Sequence, residues 1–295
     1  MTGDPRTVGI ISPGAMGSAL GAALARGRAH VVVSLAGRST RTHRLAEAAG
    51  LTVVPGLEDV VRHADVVLSI APPEAAAEIA VEIGRAAREA GAQPLVADLN
   101  AIAPETARSI EVGLGQAGLD LVDGSISGPP PWKPGTRLYL SGERAQEVAE
   151  LPLDGVERIV VGTEIGSASA VKMSTASVYK GTSALLAQAL LAADANGVLG
   201  HVLDDLRAGS PELLANVERR LANAASKSGR YVGEMHEIAA TQEAAGLTPA
   251  LFAAMGDVFG SLSETELART APEDVPPDVS LPEVLDRLRT KGRTL

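Results

Sequence analysis

The chain has no cysteine among its 295 residues, and only 2% of them are aromatic. The absence of cysteine excludes disulfide bonds, thiolate catalysis and cysteine-ligated metals. Because aromatic rings are so few, the core must be built from Ala, Val, Leu and Ile, and nothing indicates a stacking surface for single-stranded bases. The formal net charge of −10 disfavours binding to nucleic acid or to anionic membranes, while it leaves room for a small basic pocket.

Long apolar runs are also missing, since none approaches the roughly 18 residues that a membrane-spanning helix needs. The residues before Thr7 lack the apolar stretch of a signal peptide. The five histidines are scattered, without the paired spacing that is typical of metal ligands. We therefore expect a cytoplasmic protein that acts on a small molecule, with no metal site, no membrane segment and no nucleic-acid partner.

The first half of the sequence alternates short apolar runs with Ala-rich helical stretches. Short continuous apolar strands between amphipathic helices are typical of βαβ units, in which a parallel sheet is buried on both faces. The predicted strands cover residues 7–12, 31–35, 66–70, 95–97, 119–122, 137–140 and 158–161. This pattern predicts an α/β domain with a doubly wound parallel sheet over residues 1–165.

After Gly162 the strand signal disappears. Residues 167–199 form a long Ala- and Leu-rich segment without proline, and further helices are predicted at about 211–225, 231–245, 249–262 and 281–290. A helix of that length that is apolar on more than one face needs partners on several sides. We therefore predict an all-α C-terminal domain over residues 166–295, which contributes to the substrate site and to a homodimer.

A glycine-bearing turn follows the first predicted strand and opens the first helix. It consists of Ser12, Pro13, Gly14, Ala15, Met16 and Gly17. Compared with the pattern G-x-G-x-x-G, Gly14 and Gly17 match the second and third glycines, while Ser12 stands at the first. Gly14 lets the backbone approach a pyrophosphate, Gly17 allows close packing of helix on strand, and the helix N-terminus offers free N–H groups. The turn predicts a Rossmann dinucleotide-binding domain.

The end of the second predicted strand indicates which dinucleotide is preferred. NAD-binding domains usually carry Asp or Glu about 20 residues after the glycine turn, to bind the ribose hydroxyls. Here the segment contains Arg38, Ser39, Thr40 and Arg41, with no carboxylate. Two guanidinium groups and two hydroxyls suit a 2′-phosphate. The predicted cofactor is therefore NADP.

Four ordered segments together resemble the signatures of the β-hydroxyacid dehydrogenases, a family that includes 3-hydroxyisobutyrate dehydrogenase and 6-phosphogluconate dehydrogenase. The segments are residues 12–17, 98–104, 123–128 and 166–172. Residues 172–173, 180–181 and 230–235 are similar to a subgroup with a distinct C-terminal helical domain. The resemblance implies hydride transfer between nicotinamide and a small hydroxy or oxo acid, in dimers with interleaved helices.

The resemblance also implies roles for single residues. Lys172 occupies the position of the catalytic lysine, which relays the proton of the substrate hydroxyl. Its place in an Ala-, Ser- and Val-rich helix suits a lysine whose pKa is lowered by desolvation. Asn100 matches a position that orients substrate or nicotinamide. Ser127 and Gly128 match the loop that binds the substrate. Ala71 and Pro72, after the third predicted strand, are expected to border the cofactor.

The chain also departs from the family pattern near the substrate. Three prolines and Trp132 follow Gly128 where the family usually has another glycine. Two interpretations of Trp132 stay open: it forms a wall of the pocket, or it covers the edge of a domain. Thr175 and Ala176 stand where the family carries asparagine one turn after the lysine. Lys180 lies about two turns beyond Lys172 and is a candidate for binding the acidic group. The Lys-Asp pair of the family is replaced by His236 and Glu237.

Two alternatives remain open at this level. Imine reductases resemble this family, but they usually carry Asp or Tyr where this chain has Lys172. A protein that senses NADP(H) without catalysis needs only the glycine turn, so the presence of Lys172, Ser127 and Asn100 favours an enzyme. The sequence names neither the substrate nor the physiological direction.

Overall fold

The computed structural model describes residues 6–270, 274–276 and 278–289. The chain divides into two compact units, Met1–Met173 and Ser174–Leu295, and the division falls within helix α7 (Ser167–Ala195). The sequence places the boundary earlier, after residue 165. In the structure, Lys172 therefore belongs to the first unit.

The first unit contains one eight-stranded sheet. Its strands are β1 (Thr7–Ile11), β2 (His30–Ser34), β3 (Thr52–Val54), β4 (Val66–Ser69), β5 (Leu95–Asp98), β6 (Leu121–Ser127), β7 (Thr136–Ser141) and β8 (Val156–Gly162). They are arranged in the order β3-β2-β1-β4-β5-β6-β7-β8. The order reverses between β1 and β4, so the sheet has the doubly wound arrangement whose ligands bind at the carboxyl ends of the strands. The predicted Rossmann-type fold is confirmed.

One pair of strands departs from the all-parallel sheet that the sequence predicts. Strand β7 runs antiparallel to β6, with Asp123 opposite Ser141 and Ser127 opposite Arg137, whereas β7 and β8 are parallel. The connection over residues 128–135 is too short for a crossover helix, and only an antiparallel partner can be reached by such a loop.

Helices cover both faces of this sheet. Those of the first unit are α1 (Ala15–Arg26), α2 (Thr40–Ala48), α3 (Leu57–His63), α4 (Ala76–Ala90), α5 (Pro104–Gly115), α6 (Ala145–Ala149) and the start of α7. Successive residues of β2 point to opposite sides: Val31 and Val33 pack with Leu24 in one apolar cluster, and Val32 packs with Ile83 in another. Burial on both faces explains why these strands are continuous apolar runs rather than alternating ones.

Strand β3 and helix α3 were not predicted from the sequence. The strand has three residues, all at least partly exposed, at the edge of the sheet. A segment this short gives no periodic signal, and only its pairing with β2 identifies it as a strand.

The second unit is helical in its described residues, as predicted. It holds the rest of α7 and then α8 (Leu199–Gly209), α9 (Pro211–Leu214), α10 (Val217–Ala225), α11 (Ser228–Ala244), α12 (Ala250–Ser263) and α13 (Leu281–Leu288). Helix α7 ends at Ala195 rather than near residue 199, because Gly197 adopts a φ of 70° and reverses the chain. The predicted helix over 211–225 is split because Asn216 has a φ of 54°. Residue 290, the predicted end of the last helix, lies outside the described residues.

Candidate active site

The glycine turn connects β1 to α1 at the carboxyl edge of the sheet. Ser12 has a φ of 62°, the left-handed conformation that the missing first glycine would adopt without strain. The Ser12 carbonyl accepts a hydrogen bond from the Gly14 N–H at 2.7 Å, which closes the turn. The Ser18 hydroxyl donates to the Pro13 carbonyl at 2.6 Å. The turn therefore keeps the geometry of the pattern although Ser12 replaces a glycine.

The two glycines of the turn have different steric surroundings. A Cβ on Gly17 would lie 2.8 Å from the Ser12 carbonyl oxygen, so a side chain there would push α1 away from β1. A Cβ on Gly14 would meet no heavy atom within 4 Å. Helix α1 also begins without a side-chain cap or an acidic residue in its first turn. Open space beside uncapped N–H groups fits the pyrophosphate of a dinucleotide.

The segment after β2 carries the residues that the sequence assigns to a 2′-phosphate. Arg38 and Arg41 are exposed. Ser39 is the N-cap of α2, and its hydroxyl accepts a hydrogen bond from the Thr42 N–H at 3.3 Å. The Ser39 hydroxyl thus caps α2, while the two arginines lie on the surface of the same segment.

Asn100 is buried beyond the end of β5, with 2% of its surface exposed. Its Oδ1 accepts a hydrogen bond from the Ala71 N–H at 2.5 Å, and its Nδ2 donates to Ser69 Oγ at 3.1 Å and to Asp98 Oδ2 at 2.8 Å. Both Nδ2 hydrogens are therefore engaged within the protein. The side chain ties the end of β4, together with the adjoining Ala71–Pro72 segment, to the end of β5.

Asp98 is a titratable neighbour of Asn100 to which the sequence assigns no role. Burial raises the pKa of its carboxyl to about 7, and the charge of Asp123 adds to the shift, while hydrogen bonds from Asn100 and Ser69 oppose it. An acidic residue at the end of a strand carries no sequence signal that it will be fully buried. The structure thus places an acid that titrates near neutral pH directly beside Asn100.

Strand β6 leads into the segment expected to bind the substrate. Ser127 ends the strand and is half-buried. Gly128 has a φ of 96°, and a Cβ on it would lie 2.3 Å from the Gly135 carbonyl oxygen, so only glycine fits. The Thr136 hydroxyl donates to the Pro129 carbonyl at 2.6 Å and fixes the proline segment. Trp132 is 59% exposed, so it does not form a closed wall within this chain.

Lys172 lies in the second turn of α7 and is half-buried. Its Nζ donates a hydrogen bond to the Ile126 carbonyl at 2.7 Å. Ile126 precedes Ser127 in β6, so the structure brings Lys172 to the start of the Ser127–Gly128 loop, 44 or more residues away in the sequence. Two of the residues predicted to be catalytic therefore lie close to the end of β6: Ser127 is its last residue, and Lys172 is bonded to the residue before it.

Lys180 and Glu237 lie in the second unit. The Lys180 ammonium forms an ion pair with the Glu234 carboxylate, which also pairs with Arg230 at 3.0 Å, and Lys180 Nζ lies 4.8 Å from the centre of the Tyr231 ring. Glu234 is 4% exposed, and the sequence assigns it no role. Glu237 is half-buried, and its backbone carbonyl accepts from the Thr241 hydroxyl at 2.8 Å. Lys180 therefore already has an anionic partner within its own unit.

Among the residues that the structure describes, no group of three or more His, Cys, Asp or Glu side chains is suited to hold a metal ion. Within the same residues, each helix is too short or too polar to cross a membrane.

Two family models match parts of the chain. Residues 7–99 match the model described as NADP oxidoreductase coenzyme F420-dependent, and residues 193–262 match a domain of unknown function, DUF1932. The first match covers the glycine turn and the segment after β2, and the second runs from the last turn of α7 through α12. The chain thus combines a nucleotide-dependent oxidoreductase domain with a separate helical domain.

Solved structures extend the likeness to nearly the whole chain. A conserved protein of unknown function, described as structurally similar to 3-hydroxyacid dehydrogenases, is 30% identical with a TM-score of 0.66, over 87% of this chain and 96% of that one. A 3-hydroxyisobutyrate dehydrogenase from Mycobacterium tuberculosis is 18% identical with a TM-score of 0.71, over 97% and 100% of the two chains. An imine reductase from Streptomyces aurantiacus is 19% identical with a TM-score of 0.57, over 97% and 100%. The last two likenesses show a shared fold.

Proposed function

This chain belongs to the β-hydroxyacid dehydrogenase-like family of NAD(P)-dependent oxidoreductases, in the subgroup with a distinct C-terminal helical domain, and we propose that it interconverts a small hydroxy acid and the corresponding oxo acid with NADP(H). The observation that carries the proposal is the position of Lys172. Its Nζ is held 2.7 Å from the Ile126 carbonyl, at the start of the Ser127–Gly128 loop. A proton-transferring group is thereby fixed beside a loop suited to a polar substrate.

In this proposal Lys172 exchanges a proton with the substrate oxygen. Neutral Lys172 accepts the hydroxyl proton when the alcohol is oxidised, and protonated Lys172 donates it when the carbonyl is reduced. The Ile126 carbonyl accepts a hydrogen bond from the Nζ and keeps the side chain at the start of the Ser127–Gly128 loop.

We assign the carboxylate of the substrate to the Ser127 hydroxyl and to the backbone N–H groups of the Ser127–Gly128 loop. Lys180 is less suited to this role than the sequence suggests, because it pairs with the buried carboxylate of Glu234. Asn100 acts in the proposal by holding the Ala71–Pro72 segment in place. Trp132 and Glu237 are secondary candidates for substrate contacts.

The residues of the first unit fit the dinucleotide, which supplies or accepts the hydride when it is bound. The N–H groups at the start of α1 would hold its pyrophosphate, and Arg38 and Arg41 would bind the 2′-phosphate. Asn100 keeps the Ala71–Pro72 segment at the same edge of the sheet. The proposed contacts to the dinucleotide are therefore made by the glycine turn and by the segment that follows β2.

A substrate screen tests this function. NADPH fluorescence should fall when the protein meets a small oxo acid, and NADP⁺ should be reduced when it meets the matching hydroxy acid. Cyclic imines form a second panel, because imine reductases share the fold. Turnover of imines alone would favour the imine reductase. Tight NADPH binding without turnover of any panel would contradict an enzyme and favour a sensor.

We further propose that the protein is a homodimer built on α7. Val178 and Leu185 lie seven residues apart on this helix, and 64% and 62% of their surfaces are exposed. Residues 182, 189 and 192 continue the same face with Thr and two Ala. An apolar helix face of this kind is typical of an obligate interface, which usually buries more than about 2,000 Å².

Light scattering should therefore give twice the chain mass of 30.1 kDa at micromolar concentration. Leu185→Glu should shift the population towards monomer, because the interface would bury an unpaired charge. Val81→Glu, an exposed apolar position on α4 in the first unit, is the matched control and should leave the mass unchanged. A wild-type protein that scatters as a monomer would overturn the proposal.

A further inference from the structure

Asp123 lies in the middle of β6 and is completely buried. Its carboxylate accepts four hydrogen bonds: Oδ2 receives Ser141 Oγ at 2.9 Å and the N–H groups of Gly166 and Ser169 at 3.0 Å each, and Oδ1 receives Ser169 Oγ at 2.6 Å. A buried carboxylate is tolerated when it is bonded this completely. Three of the four bonds come from the N-terminal end of α7.

These bonds satisfy the start of α7 almost entirely. The first N–H groups of a helix have no partner within it. Here Asp123 accepts those of Gly166 and Ser169, Ser141 Oγ accepts that of Ala168 at 3.0 Å, and the Glu164 carbonyl accepts that of Ser167 at 3.2 Å. A carboxylate also interacts favourably with the positive end of the helix dipole. The first turn of α7 is thus fixed by side chains of β6 and β7.

The same strand continues to hold the helix up to Lys172. The Ser125 hydroxyl donates to the Ala168 carbonyl at 2.8 Å, and the Ile126 carbonyl accepts from Lys172 Nζ. Lys172 follows Ser169 by three residues, about one helical turn. Bonds from Asp123, Ser125 and Ile126 therefore connect β6 to successive points of the first two turns of α7. Only the last of these bonds involves the lysine itself.

We propose that Asp123 is a positioning residue that anchors the N-terminus of α7 on β6 and thereby holds the Lys172 ammonium at the Ile126 carbonyl. This inference rests on the proposed function, in which Lys172 is the proton relay. Asp123 touches neither the substrate nor the cofactor in this role. Its replacement by alanine leaves the donors of Gly166 and Ser169 unpaired and frees the first turn to shift. Lys172 then loses its fixed position.

The position of the Lys172 ammonium can be measured directly, because the chain contains only five lysines and each can be followed separately. The reaction of each lysine with an amine-directed reagent can be followed by mass spectrometry, with the exposed Lys133 as internal reference. In the full-length wild type Lys172 should react more slowly than Lys133. Asp123→Ala should raise the ratio of Lys172 to Lys133 labelling roughly two- to ten-fold, the factor expected when one buried hydrogen bond is lost.

Asp123→Asn should restore the wild-type ratio, because its amide oxygen still accepts the two N–H groups and its Nδ2 can donate to Ser169 Oγ. Should Asp123→Ala fail to fold, Ser141→Ala carries the test, since it removes one donor to Asp123 and the acceptor of the Ala168 N–H. It should raise the ratio at least two-fold. Ile83→Ala, a fully buried position on α4, is a control for lost stability alone and should leave the ratio unchanged.

An unchanged Lys172 ratio in folded Asp123→Ala and Ser141→Ala, or an equal rise in Ile83→Ala, would overturn the positioning role. Labelling needs no substrate, so this result is independent of whether Lys172 is catalytic. If labelling changes as expected while Lys172→Ala retains full turnover, the anchor stands and the proton-relay function fails.

Discussion

Replacing Lys172 with alanine is expected to reduce turnover on a substrate identified by the screen by about 10²–10⁴-fold, the usual contribution of a positioned acid or base. The side chain is held by the Ile126 carbonyl beside the Ser127–Gly128 loop, so its loss removes the proton relay without disturbing the fold of β6. Lys172→Arg should be nearly as damaging, because arginine keeps the charge but does not release a proton near neutral pH. Steady-state kinetics of the three proteins would measure this.

The same variants must be tested for cofactor binding. NADPH affinity should change little, because the phosphates are assigned to the start of α1 and to the arginines after β2. Lys227→Ala, which removes a lysine of the second unit that has no proposed role, is the matched control and should keep full turnover. If Lys172→Ala also turned over at the wild-type rate, the proton would have to be relayed by another group, and the assignment of Lys172 would be wrong.

The pH dependence of wild-type turnover gives an independent check on this assignment. A working lysine should titrate well below the free-lysine pKa of about 10.4. Asp98 ends β5, the strand next to β6, and burial raises the pKa of its carboxyl to about 7. Its titration can therefore add a second step to the pH profile of turnover. The two are separable, because Lys172→Ala removes only the lysine step. If the pH profile of Asp98→Asn still falls on its acidic side as in the wild type, that fall is not caused by protonation of Asp98.

The features that could be predicted from the sequence are those determined by residues close together in the chain. The glycine turn was recognised because a strand, two spaced glycines and a helix follow one another within a few residues. The buried parallel strands were recognised because burial on both faces makes each of them continuously apolar. The all-α second half follows from the same kind of local pattern, because the strand signal ends after Gly162.

The parts that were missed depend on contacts between distant segments. Asp123 and Ser169 meet across 46 residues, and Lys180 and Glu234 across 54, so neither pair has a local signature. Ser39, which the sequence assigns to the 2′-phosphate, also caps α2, and its phosphate contact stays a prediction. The amide of Asn100 joins the ends of two strands, a role with no signature in the sequence, while its ligand contact stays a prediction. Polar residues in family motifs can thus serve the scaffold that positions the chemistry.

The cofactor preference is the second large effect that we expect. NADP(H) should bind at least about tenfold more tightly than NAD(H), since a charge-assisted contact to a phosphate contributes roughly 1.5–3 kcal/mol, or one to two decades in affinity. Arg38 and Arg41 supply the charge in the exposed segment after β2, where NAD-binding domains usually carry a carboxylate. Equal dissociation constants for the two cofactors in the wild type would contradict this preference.

Arg38→Glu should reverse this order. The new carboxylate repels the 2′-phosphate and can accept hydrogen bonds from the ribose hydroxyls of NAD(H), so NADPH affinity should fall about ten- to a hundredfold while NADH affinity falls little or rises. Titration of nicotinamide fluorescence measures both constants on one sample. Arg88→Glu, at an exposed position in the last turn of α4, changes the net charge equally and should leave both constants unchanged. If Arg38→Glu kept its NADPH affinity, the 2′-phosphate would have to bind elsewhere. An equal loss in Arg88→Glu would instead trace the effect to the total charge of the chain.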